Sequence, residues 1–273
     1  MSLHTEWIRY GDARQFSGYL THPERMTDGQ PAVVVIQEIW GVDEHIKNVA
    51  DRFAQAGYVA LAPDLYARDG ARLPGFEAEA IDAVKRFLNS VSPAVWHDAG
   101  ERDRAMEKLP EPEQSQVRRT FSQLFQSDLD SHRPQLLAST DYLRNSYAVT
   151  KGQAVVSVGF CLGGALSARL ASDDAQLAGA AIFYGRAPTE EQMKQIQCPV
   201  RGYYGALDHN ITDKVPAFAE MMKQLGKDFA YRVYEGAPHA FFNDTRASYH
   251  AAAARSAFAE VLTFFHHVVD KNR

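Results

Sequence analysis

Four side chains in this 273-residue chain are of types that perform nucleophilic chemistry and stand in contexts that would expose them: Cys161, Asp208, His239 and Glu38. Cys161 lies in "VSVGFCLGGALSARLA", between Gly159 and the pair Gly163 and Gly164, after an apolar run and before an alanine-rich one. A strand that runs into a tight turn with small residues on both sides, and leaves at once as a helix, is the frame that lifts a nucleophile out of the backbone. The helix that follows would turn its positive end toward the sulfur and favour the thiolate. The competing reading is a buried cysteine in the glycine-rich turn of a nucleotide-binding fold. No G-x-G-x-x-G accompanies this turn, no G-x-x-x-x-G-K-[ST] occurs anywhere, and the turn sits mid-chain.

A thiol nucleophile needs a base, and the base needs an orienting group. "GYYGALDHN" places Asp208 just past one expected strand and "EGAPHAFFND" places His239 past the next. Nucleophile, acid, base is one of the chain orders in which such triads occur. Asp208 could instead be a turn residue, and Asp213 is a nearby competitor. The backbone donors for an oxyanion would be the N–H of Leu162, directly after the nucleophile, and that of Ile39 in the earlier loop "QEIWG". Glu38 in the same loop is either a working carboxylate or a solvated loop end, and the residues alone leave both open.

These groups must be delivered by strand ends. Short apolar or β-rich runs at 32–37, 58–63, 154–160, 179–185, 200–205 and 230–236 alternate with helical candidates at 44–56, 163–172, 214–225 and 246–268. That alternation predicts a mostly parallel central sheet with helices on both faces. "EWIRYG" and "QFSGYLTHP" predict an antiparallel edge hairpin. Residues 70–146 carry no convincing strand and predict two or three helices separated by prolines. They are expected to be a long helical insertion in one domain spanning 1–273, either a packed crossover or a cap over the C-terminal edge of the sheet, where open α/β sheets bind ligands.

Composition narrows the partners. With 34 acidic and 29 basic residues the formal charge is −5, and no Lys/Arg cluster interleaves with aromatics, so a nucleic-acid partner is not expected. No apolar stretch reaches the length of a membrane span, and the N-terminal stretch lacks a signal-like core, so no membrane is expected and the location expected is cytoplasmic. Cys161 and Cys198 are the only cysteines, and Cys198 is expected to be a small core residue at a strand start. No metal is expected: H-E-x-x-H is absent, and the adjacent His266 and His267 show no carboxylate partner in the sequence. No organic cofactor is expected either. The expected partner is a small molecule, and the chain is read as a monomer or homodimer.

The stretches "VVVIQEIWGVDEHIKNVADRFAQAGYVALAPDLYAR", "VGFCLGGALSA", "FYG", "GALD" and "GAPHAF", in that order, resemble the dienelactone hydrolase family (carboxymethylenebutenolidase-like enzymes) of the α/β-hydrolase fold. The resemblance implies Cys161 as nucleophile, Asp208 and His239 completing the triad, and the N–H groups of Ile39 and Leu162 as the oxyanion hole. It also implies that Glu38 contacts the resting thiol and helps to take its proton, and that Trp40 and Tyr184 line the pocket. The family's carboxylate-binding arginine four residues after the histidine is replaced here by Asn243. Arg186, Arg246 and Arg68 are candidate substitutes, because a guanidinium binds carboxylate through two parallel bonds, and Trp96 and Phe121 are candidate pocket walls. The implied activity is hydrolysis of an ester or lactone through an acyl-cysteine, on a dienelactone-type enol lactone. The alternatives are a broader carboxylesterase or thioesterase, a promiscuous hydrolase of activated esters including phosphotriesters, and a non-catalytic binding protein on the same fold.

Overall fold

The computed structural model describes residues 2–92, 95–96, 98–126 and 128–271. Pro93, Ala94, His97 and Ser127, which fall in the helices expected over 70–146, lie outside the described residues. The chain separates into two compact units, Met1–Leu65 with His132–Arg273, and Tyr66–Ser131.

The first unit is built on an eight-stranded sheet of order β1-β2-β4-β3-β7-β8-β9-β10. Its strands are β1 (Leu3–Tyr10), β2 (Phe16–Pro23), β3 (Ala32–Ile36), β4 (Val59–Pro63), β7 (Val155–Phe160), β8 (Gly179–Phe183), β9 (Val200–Gly205) and β10 (Phe229–Tyr234). β2 pairs antiparallel with both β1 and β4, and every pairing from β4 to β10 is parallel. The hairpin expected from the sequence therefore forms, with β1 as the sheet's edge. β3, β7 and β8 are buried along their whole length, which is why they read as continuous apolar runs rather than alternating ones.

Helices cover both faces. On one, Val33 and Val35 of β3 and Val156 and Val158 of β7 join a core with α1 (Glu44–Gln55) and the C-terminal helix (Ala251–Asp270). α1 is apolar on one stripe, with Ile46, Val49, Ala50 and Phe53 buried, and it is started by Asp43, whose carboxylate accepts from the Ile46 N–H at 3.2 Å. On the other face α6 (Leu162–Asp173) follows β7, and Ser157 of the strand hydrogen-bonds Ser167 of the helix at 2.8 Å. α5 (Arg133–Asp141) belongs to this unit too. Its buried Gln135 donates to the carbonyls of Ser17 and Asp64 at 3.1 and 3.0 Å, and Ser139 pairs with the Tyr10 hydroxyl at 2.8 Å.

The second unit holds a two-residue hairpin, β5 (Ala67–Arg68) with β6 (Ala71–Arg72), and the helices α2 (Ala78–Ser90), α3 (Ala99–Met106) and α4 (Glu113–Phe125). Within it α2 packs on α4, Tyr66 stacks on Phe76 at 4.3 Å, and the Arg102 guanidinium lies over Phe121 at 4.6 Å. The helical stretch expected at 70–146 thus divides between the units, since residues 133–146 pack with the sheet.

Candidate active site

β7 ends at Phe160 and α6 begins at Leu162, so a single residue turns the chain. Cys161 does so at φ 55° and ψ −112°, outside the regions that side-chain-bearing residues ordinarily occupy, at a cost on the order of 1–3 kcal/mol. The turn is held from both sides. The Cys161 N–H donates to Phe183 O at 3.0 Å, and its carbonyl accepts from the N–H groups of Gly164 and Ala165 at 3.0 and 3.3 Å. Its side chain is half-buried, as is Leu162, the first residue of α6, whose N–H belongs to the turn that has no partner within the helix.

Close backbone contact brings the other loops to this point. A Cβ on Gly163 would overlap the carbonyl oxygens of Ile36 and Gln37, so α6 starts directly against the end of β3, from which Glu38, Ile39 and Trp40 follow. A Cβ on Gly205 would likewise meet the carbonyls of Ala237 and Pro238. The loops after β9 and β10 are stitched there by Ala206 N–H to Tyr234 O at 2.9 Å and Leu207 N–H to Ala237 O at 3.0 Å. Asp208 and His239 consequently emerge side by side.

The His239 Nδ1 and the Asp208 Oδ2 are 2.5 Å apart, with Asp208 buried and His239 keeping 40% of its side-chain surface open. Asp213 instead faces His209 at 3.4 Å on the exposed surface. The packing around the imidazole pushes its pKa down, but hydrogen bonds to Asp208 and to Cys161, with the charges of both, outweigh that and raise it from 6.5 to about 10. The Tyr184 ring meets the imidazole edge-on at 5.1 Å.

Glu38 is buried, and its two carboxylate oxygens have separate donors: the Tyr184 hydroxyl at 3.2 Å and the Asn243 amide at 2.9 Å. The carboxylate is therefore tied to these two groups. Asn243 cannot rotate freely, because its own oxygen accepts from the backbone N–H and hydroxyl of Thr245 at 3.0 and 2.7 Å. Burial, the Glu38 charge and the Cys161 sulfur hold the Tyr184 hydroxyl well above its ordinary pKa, with Arg246 opposing them. This phenol thus stays a donor. The holding role of Asn243 was not legible in the sequence, where the residue registers only as a missing arginine. The next residue, Asp244, bridges His45 of α1 at 3.3 Å and Arg52 at 2.6 Å and anchors the segment.

The remaining candidates divide. Arg246 stacks over the buried Trp40 at 5.2 Å and acts electrostatically on Tyr184, so both belong to this cluster. Arg186 is exposed and borders a different cavity, which none of Cys161, Asp208, His239 or Glu38 lines. Arg68, Trp96 and Phe121 lie in the Tyr66–Ser131 unit, where Trp96 donates to Leu88 O at 2.9 Å. Cys198 is a buried free thiol whose pKa burial pushes up to about 12, the behaviour of an inert core residue. His266 does have a carboxylate neighbour, contrary to the sequence reading: Asp270, one helical turn on, is 3.4 Å away. Among the described residues no three His, Cys, Asp or Glu side chains gather as metal ligands would, and no helix is long and apolar enough to cross a membrane.

Known proteins resemble this chain over nearly its whole length. The model of the dienelactone hydrolase family matches residues 16–269. A carboxymethylenebutenolidase-like protein of Saccharolobus solfataricus is 33% identical over 259 residues, covering 94% of this chain and 96% of its own. The crystal structure of a dienelactone hydrolase-like protein of Klebsiella pneumoniae superposes with a TM-score of 0.66 at 25% identity, covering 97% of this chain and 99% of that one. The same fold appears, at 21% identity and a TM-score of 0.67 over 98% and 99% of the two chains, in a dienelactone hydrolase-like promiscuous phosphotriesterase from metagenomic libraries. The matching family model, spread over both units, joins the sheet order and the loops at its C-terminal edge to one conclusion: the chain belongs to the dienelactone hydrolase family and is an α/β-hydrolase acting on ester bonds.

Proposed function

We propose that the protein hydrolyses carboxylic esters or lactones through a covalent acyl-cysteine on Cys161. The observation that carries this reading is the conjunction of Cys161 at positive φ on the strand-to-helix turn with the His239–Asp208 pair that acts on its sulfur. The Cys161 sulfur attacks the substrate carbonyl as its proton passes to His239 or Glu38. The oxyanion that forms is met by the N–H groups of Ile39 and Leu162. Collapse of this intermediate breaks the C–O bond, and the imidazolium of His239 protonates the departing oxygen while Asp208 stabilises its charge. Water, deprotonated by the same imidazole, then cleaves the thioester and frees the acid.

The substrate reading follows from what surrounds Glu38. A dienelactone-type enol lactone carries a carboxylate, for which Arg246, seated on Trp40, is the cation at this cluster. A second reading is favoured by Asn243: a neutral amide holds Glu38 where the family's carboxylate clamp would stand, which suits neutral activated esters. Steady-state kinetics on cis- and trans-dienelactone beside p-nitrophenyl acetate and butyrate separates the two. A kcat/KM favouring the dienelactones and lost in Arg246→Ala supports the lactone, whereas preference for the neutral esters, insensitive to Arg246→Ala, supports the broader esterase.

A further inference from the structure

Behind the acid-bearing loop, the first unit contains a cavity of about 200 Å³ that the chemistry above does not use. Its apolar wall is Ile211, Val215 and Phe218, and its cationic lining comes from Arg186 and Lys214. Two cationic side chains that border one small cavity repel each other, and neither Arg186 nor Lys214 has a salt bridge among the described residues. The nearest acidic neighbour in sequence, Asp213, faces His209 at 3.4 Å with most of its side chain in solvent.

An apolar wall and two unneutralised cations are complementary to one kind of ligand. We propose that this cavity is a second binding site, separate from Cys161, for a small carboxylate. The apolar body of the ligand lies on Ile211, Val215 and Phe218. Its carboxylate accepts from Arg186 and Lys214. The volume sets the size, because drug-sized ligands need about 300–1,000 Å³, so a single ring or a short chain is what fits. The site adjoins the dyad without sharing it: the N–H groups of Ile211 and Thr212 both donate to Asp208 O, at 3.1 and 2.8 Å. The proposal stands or falls independently of the acyl-cysteine.

The test is isothermal titration calorimetry of the full chain with benzoate, with benzamide as its neutral counterpart. The wild type should bind benzoate at one site and benzamide at least about tenfold more weakly, since charge-assisted hydrogen bonds are the stronger ones. Arg186→Ala and Lys214→Ala, both at exposed positions that leave the core intact, should each weaken benzoate about tenfold. Protein alkylated at Cys161, and the Cys161→Ala variant, should bind benzoate as the wild type does. Absence of binding, equal affinity for benzamide, indifference to the Arg186 and Lys214 substitutions, or loss of binding on alkylation of Cys161 would each overturn the proposal.

Discussion

His239 is the residue on which the account places two opposed demands, to hold a proton for the leaving oxygen and to give it up to activate sulfur and water. Its surroundings bias it toward holding. Burial lowers its pKa, and the hydrogen bonds to Asp208 and Cys161, with the charges of both, outweigh that and raise it to about 10. A His Cε1 resonance followed by NMR should titrate near that value in the wild type and well below it in Asp208→Asn, where the largest raising contribution is gone and burial acts against what remains. A titration unchanged by that substitution would mean that Asp208 does not set the charge of the ring. The linkage to stability has a definite sign. The folded state holds a proton that the unfolded chain releases between pH 6.5 and about 10, so this contribution is whole below pH 6.5 and is lost as the pH rises through about 10. Denaturation midpoints should therefore fall more between pH 7 and 10 in the wild type than in Asp208→Asn. At this scale the sequence was partly legible. Cys161, Asp208 and His239 announce themselves by turn context and chain order, whereas Asn243 holds Glu38 through a contact between loops some two hundred positions apart, which no local pattern encodes.

At the scale of elements, the site depends on how closely α6 starts against β3. The Gly163 Cα stands where a methyl group would overlap the carbonyl oxygens of Ile36 and Gln37, both of them backbone and unable to swing aside. Gly163→Ala should therefore destabilise the fold by about 3 kcal/mol or more and displace the Glu38–Ile39 loop from Cys161. Ester hydrolysis should fall in the fraction that stays folded. A variant with wild-type melting temperature and kcat would show that the loop has slack. Elements were the most legible level: "AVVVI" and "VVSVGF" are continuous because both faces of β3 and β7 are covered, and "EHIKNVADRFAQ" carries its apolar stripe at helical spacing. α5 was harder to place, because its sheet-facing side uses Gln135 and Ser139, polar residues that read as surface until their buried partners are seen.

Across the whole molecule, the two compact units are unequally built. β3, β7 and β8 bury every residue, while in the Tyr66–Ser131 unit α3 buries Met106 alone and α4 only Val117, Thr120 and Leu124. Hydrogen exchange read by mass spectrometry should find the strand amides protected to the limit of global unfolding, and α3 and α4 exchanging through openings of much lower free energy. Equal protection would make the molecule one cooperative body. The division into units was hidden in the sequence, since proline-separated amphipathic helices look alike whether they pack on the sheet or on one another. The central claim, however, concerns one covalent bond. Rapid-quench mass spectrometry of the protein mixed with p-nitrophenyl acetate tests it most directly. The account predicts one acetyl group, found on the peptide that carries Cys161, which appears before steady state and is absent from Cys161→Ala along with turnover. An acetyl group on another residue, or full turnover by Cys161→Ala, would contradict it.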